Sequence, residues 1–143
     1  MCLIIINKKG QRLSKQTLDS ASKLNPHGLG ITWLDDYTTI KLKSKQWAIL
    51  QSNRPYIAHF RYATIGKINK ANIHPFKIPN TDESLYQNGT IHELGNTDKC
   101  DTQALAELLP LAPRRLWKKA LAKYDCRFVT INTRKKFYQI FNR

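Results

Sequence analysis

Cys2 is the residue with the most chemistry to offer. Cysteine is small enough for an aminopeptidase to remove the methionine before it, which would leave Cys2 bearing a free α-amine. An α-amine with a pKa of about 7.7–8.0 is a competent base at neutral pH. Beside its own thiol it can take the thiol proton and later return one to a departing amine. One residue then supplies nucleophile and base, and no separate histidine is needed. Position 2 also reads as a small side chain opening the apolar run Leu3-Ile4-Ile5-Ile6.

A thiolate that attacks a carbonyl needs donors aimed at the oxygen on which charge develops. Asn88-Gly89 offers a side-chain amide and a backbone N–H that glycine can present at unusual dihedrals. The same pair is a common hairpin turn. A small zwitterionic substrate would also need a cation for its carboxylate and an anion for its ammonium. Arg61 can supply the first by bidentate pairing and Asp101 the second. Taken singly, each is an ordinary surface charge.

The elements that must position these residues can be read from spacing. Leu3–Ile6 reads as a buried strand ended by Asn7-Lys8-Lys9-Gly10. Ser14 to Leu24 reads as a helix, with Ser14 as cap and Leu13, Thr17, Leu18, Ala21 and Leu24 at helical spacing. Asn25-Pro26-His27-Gly28 stops it. Gly30–Leu34 and Tyr37–Leu42 read as a hairpin about Asp35-Asp36, and Trp47–Gln51 as a short helical turn. Tyr56–Tyr62 reads as a strand entering the Thr64-Ile65-Gly66 turn, and 67–83 as an irregular loop. Leu85–Ile91 is extended but broken at Asn88-Gly89. Thr102–Leu109 and Pro113–Tyr124 read as helices, and Arg127–Ile131 with Lys136–Phe141 as a closing hairpin. Strands at both ends with helices between imply an α+β fold. Residues 1–143 form one domain, with no repeat or linker.

Five stretches, taken in order, resemble the class II glutamine amidotransferase domain, a family of N-terminal-nucleophile hydrolases. They are Met1-Cys2 before an apolar strand; Asn25-Pro26-His27-Gly28-Leu29-Gly30; and Arg61-Tyr62-Ala63-Thr64-Ile65-Gly66 followed by Asn72-Ile73-His74-Pro75-Phe76. Gln87-Asn88-Gly89-Thr90-Ile91 and Cys100-Asp101-Thr102 complete the set. The resemblance implies an αββα sandwich of two antiparallel sheets, reduced in size. It implies Cys2 as nucleophile, Asn88 and Gly89 as oxyanion hole, Arg61 on the glutamine α-carboxylate and Asp101 on its α-ammonium. Thr64 and Gly66 would shape the Arg61 pocket, Tyr62 would lie beside it, and His74 and Phe76 would fix the loop. The implied reaction is hydrolysis of glutamine to glutamate and ammonia through a γ-glutamyl thioester, with no metal or organic cofactor. The chain departs from the family pattern at Gln87, where histidine is usual, at Leu3-Ile4-Ile5, where small residues are usual, and at His27, where an acid is usual.

Composition sets the outer bounds. The longest apolar run, Cys2 to Ile6, is far short of the roughly 20 residues a membrane span needs. No signal peptide is visible, so a cytoplasmic protein is expected. Three cysteines without a CxxC pair suggest neither a disulfide framework nor a zinc site; Cys126 reads as core and Cys100 as part of a polar loop. The net charge is +14, unevenly spread. Residues 1–79 carry 13 basic and 3 acidic side chains, 80–108 carry 1 and 6, and 109–143 carry 10 and 1. Such a surface favours a polyanion or an acidic partner. After residue 109 only one helix and a hairpin are expected, so ammonia would pass to a separate acceptor protein or be released. Two other classes share these features: a basic binding module without turnover, including one that contacts nucleic acid, and a hydrolase of other γ-glutamyl amides.

Overall fold

A computed structural model describes all 143 residues. Two four-stranded antiparallel sheets organise the chain. The first holds β1 (Leu3–Asn7), β4 (Tyr56–Phe60), β2 (Leu29–Trp33) and β3 (Thr39–Leu42), in that spatial order. The second holds β5 (Phe76–Lys77), β6 (Glu83–Asn88), β7 (Arg127–Asn132) and β8 (Phe137–Phe141), also in that order. Three α-helices, α1 (Lys15–Leu24), α2 (Asp101–Leu108) and α3 (Trp117–Leu121), complete an α+β fold with short 3₁₀ turns between them.

Side-chain alternation divides each strand between two cores. In β4, Tyr56, Ala58 and Phe60 pack with Leu18 and Ala21 of α1, while Ile57 turns to the opposite face. In β6 and β7, Leu85 and Phe128 pack with Leu105 of α2 and with Trp117 and Leu121 of α3. Tyr86, Val129 and Ile131 turn the other way and meet Ile57. The sheets therefore face each other through this third cluster, and Thr32 and Tyr86 hydrogen-bond across it at 2.8 Å. Burial on both faces explains why β4 reads as an apolar run interrupted only by His59. No helix is long and apolar enough to cross a membrane.

Several local expectations hold. Ser14 caps α1 by accepting from Thr17 N, and β2 pairs with β3 from Leu29↔Leu42 to Thr32↔Thr39. Others are corrected. Leu24 is 72 % exposed, because Ser22, one turn on from Leu18, takes the buried position and bonds Ser44. The loop over 67–83 contains a 3₁₀ turn at Lys70–Asn72 and the short β5. The helix expected over Pro113–Tyr124 is a 3₁₀ turn, Arg114–Leu116, followed by the five-residue α3. Asn142 ends it by donating to the Leu121 and Tyr124 carbonyls at 2.7 and 3.2 Å. Cys100 lies in the core beside Leu105 rather than in a solvated loop, its N–H held by Asn72 Oδ1 at 3.0 Å.

Candidate functional site

Cys2 precedes β1, an edge strand whose only ladder is with β4. That pairing, Leu3↔Phe60 onward, brings the start of β1 against the residues that follow β4. The Cys2 thiol is half-buried there. Its Sγ accepts from Tyr62 N–H at 3.3 Å and lies 3.4 Å from the Tyr62 carbonyl. Burial pushes the thiol above its ordinary pKa. The Tyr62 N–H, the terminal ammonium and Arg61 pull it back, and Asp101 adds to the rise. Arg61 and Asp101 are thus both close enough to act on the sulfur, with opposite signs. Met1 itself is 82 % exposed, open to an aminopeptidase.

Arg61 is 2 % exposed. Its guanidinium donates to the carbonyls of Lys67 at 3.0 Å, Ile65 at 3.1 Å and Gly66 at 3.4 Å. Part of the fork therefore holds the 65–67 turn, and the rest of its five donors stay available. Gly66 has φ +83°, and a Cβ there would sit 2.7 Å from Cys100 N, so this turn needs glycine. Thr64 Oγ1 pairs with Thr90 Oγ1 at 2.9 Å, joining the turn after β4 to the segment after Gly89. Tyr62 is 42 % exposed and stacks on His27 at a centroid distance of 5.3 Å. His27 Nδ1 accepts from Ala63 N–H at 2.9 Å.

Asp101 is the first residue of α2 and is buried. Its Oδ2 accepts from Ile91 N–H and from the Gln87 side-chain amide, each at 2.7 Å. Oδ1 makes no hydrogen bond. The Gln87 amide also donates to the Gly89 carbonyl at 3.2 Å. Gln87 thus ties the candidate oxyanion segment to Asp101. Gly89 has φ +124°, and a Cβ there would meet Cys126 Sγ at 2.6 Å. Asn88 ends β6, the strand that touches β1 across the sheets. Its side-chain oxygen is buried without a hydrogen-bond partner; an oxyanion would instead be met by the amide N–H groups.

Beneath these residues lies a hydrogen-bonded run that sequence reasoning missed in part. His59 of β4 and His74 are both fully desolvated, with ring centroids 3.8 Å apart. His59 Nε2 lies 2.9 Å from the Gln87 carbonyl, and His74 Nε2 lies 2.8 Å from Thr102 Oγ1. A carbonyl can only accept, so His59 carries its proton on Nε2. His74 Nδ1 lies 2.6 Å from His59 Nε2 and 3.0 Å from its Nδ1. With the Nε2 proton turned to Gln87, the Nδ1 lone pair is the acceptor left on His59, and His74 Nε2 then accepts from the Thr102 hydroxyl. Burial holds both imidazoles neutral, lowering His59 to about 3 and His74 well below its ordinary value. His74 ties the loop before β5 to β4 and to the start of α2, and Phe76 packs edge-on against its ring. Asn72 assists by donating to the Lys67 and Asp98 carbonyls at 3.0 and 2.7 Å. The signal for His59 was present, a histidine inside an otherwise apolar strand, but its partner lies 15 residues away across a loop.

The structure therefore gathers Cys2, Arg61, Tyr62 and Asp101, and links Thr64, Gly66 and Gly89 to them. No group of three or more His, Cys, Asp or Glu side chains converges as a metal-ligand set. No protein-family model matches the chain. No curated protein matches it either.

Proposed function

We propose that the protein is a glutamine amidohydrolase of the N-terminal-nucleophile type, with the layers of its two sheets and flanking helices forming the αββα sandwich of that class. The observation that carries this reading is the half-buried Cys2 thiol held against the Tyr62 backbone next to Arg61, with Arg61 and Asp101 both acting on it electrostatically. A glutamine α-carboxylate and α-ammonium call for that pair of charges. Removal of Met1 frees the Cys2 amine, which takes the thiol proton. The thiolate attacks the side-chain amide carbon, and the developing oxyanion is received by Asn88 and the Gly89 N–H. The amine returns its proton to the departing nitrogen, ammonia leaves, and a γ-glutamyl thioester remains. Water then releases glutamate. Arg61 and Asp101 hold the α-carboxylate and α-ammonium, with Asp101 Oδ1 free for the latter, and a separate protein accepts the ammonia.

The reading is tested by intact-mass measurement of the mature protein together with assay of ammonia and glutamate released from glutamine. A γ-carbonyl electrophile built on glutamine should add one equivalent of mass at Cys2. Retained Met1 with undiminished turnover, or no adduct at Cys2, sinks it.

A further inference from the structure

A cavity of about 810 Å³ opens between the end of α1, the segment from β3 onward and the 68–73 loop. Five lysines line it: Lys23 from α1, Lys41 from β3, Lys43 and Lys45 from the segment after β3, and Lys70 from the 3₁₀ turn before β5. No aspartate or glutamate lines it. Only Lys23 has a carboxylate partner, Asp19 at 2.7 Å. The other four, Lys41, Lys43 and Lys45 from the 41–45 segment and Lys70 from the loop before β5, line the cavity with no carboxylate partner. Lys41 is half-buried, its ammonium 5.2 Å from the Phe76 ring centroid. Burial and the Lys70 charge hold its pKa below the ordinary value. Like charges brought together in this way repel unless something negative sits between them.

We propose that this cavity binds a small ligand carrying two or more phosphate groups. Its volume suits a small molecule, for which sites of about 300–1,000 Å³ are usual. Several point-charge ammonium groups on different elements match several phosphates better than one planar carboxylate, which arginine recognises best. Ile68 and Ile73 supply an apolar wall for the uncharged part of such a ligand. The concave shape favours a small ligand over a nucleic-acid backbone, which tracks open grooves and ridges. The cavity is separate from the Cys2 centre but adjoins it, since His27 lines the cavity and stacks on Tyr62.

The test is calorimetric titration of the full chain with inorganic triphosphate and, in a second arm, ATP, at about 0.15 M salt. Saturable binding in either arm is expected. Lys43 and Lys45 are exposed, so the double variant Lys43→Glu, Lys45→Glu should fold, and it should weaken binding by about ten-fold or more. Lys70→Glu should do the same. Lys118→Glu with Lys119→Glu on α3 removes the same charge elsewhere and should change affinity by less than about two-fold. Cys2→Ala should bind as the unaltered chain does, so a failed glutaminase assay leaves this result readable. Three results would overturn the site: no saturation with either ligand, equal loss from the α3 pair, or tighter binding of a duplex oligonucleotide through the same lysines.

Discussion

The Gln87 side-chain amide donates to Asp101 Oδ2 over 2.7 Å, between two groups that are both almost wholly buried. With Ile91 N–H on the same oxygen, the carboxylate is turned so that Oδ1 is left for something else. The residue at the position where the resembled family keeps histidine is therefore an orienting group for the anion proposed to hold the substrate.

Gln87→Ala should raise KM for glutamine about ten-fold with a smaller change in kcat, because a neutral bond to a charged group costs about 1.5–3 kcal/mol. Gln87→Glu should be worse, since it sets a second carboxylate against a buried one. Steady-state kinetics on both variants checks this; an unchanged KM removes Gln87 from the substrate pocket.

Cys2→Ala should lower kcat by about three orders of magnitude or more, because the covalent route is lost. The side chain is only half-buried, so thermal stability should move by less than about 0.5 kcal/mol. Cys2→Ser should recover little, a hydroxyl being far harder to ionise. Full turnover in either variant contradicts the proposed nucleophile.

Arg61→Ala should cost on the order of 2–4 kcal/mol in kcat/KM, chiefly through KM. It should also lower Tm, because the Ile65, Gly66 and Lys67 carbonyls lose their donor. Arg61→Lys should restore part of the stability and little of the binding, the fork being gone. Kinetics and melting curves on the two variants separate the roles.

Acid should unfold the protein through its histidines. His59 is lowered on folding from 6.5 to about 3, and His74 moves the same way. Between those values the unfolded chain binds more protons than the folded one, so stability rises with pH across the window. The contribution is complete above about pH 6.5 and is lost as pH falls toward 3, by up to about 1.4 kcal/mol per pH unit for each imidazole. Urea titrations from neutral to acidic pH measure the slope. His59→Gln should flatten it; an unchanged slope in that variant would assign the acid response elsewhere.

Arg114 should prove structural rather than part of a docking surface. It pairs with Glu83, whose side chain is 8 % exposed, through two bonds of 2.7 and 3.0 Å, and lies 4.7 Å from the Trp117 ring. Arg114→Ala should cost about 1–3 kcal/mol by stranding a nearly buried carboxylate. Arg115→Ala, with no such partner, should cost less than about 0.5 kcal/mol. Equal denaturation midpoints for the two would refute the distinction.

Much of this arrangement is legible along the chain wherever one residue type answers a local need. The Ser14 cap, the β2–β3 hairpin and the strand at Tyr56 follow from neighbours within a few residues. The structure parts from the reading where distant groups decide. Cys100 looks polar by its neighbours, but Asn72 draws its backbone inward. Arg114 looks like one more surface charge until Glu83, 31 residues away, is placed beside it. Asp101 was legible as a candidate anion, whereas the amide that aims it was visible only as a departure from a pattern.

The run from Thr102 through His74 and His59 to Gln87 has a mechanical consequence as well. Backbone ladders repeat along a strand, so a slip of two residues can restore the same hydrogen bonds. The imidazole crossing has no such repeat. Shearing one sheet over the other by a single residue, about 3.3 Å, breaks each link between them at once. His59 rides on the first sheet with Cys2, while Gln87 rides on the second with Asp101 packed against it. The crossing indexes the two layers, so thiol and carboxylate keep one spacing under load.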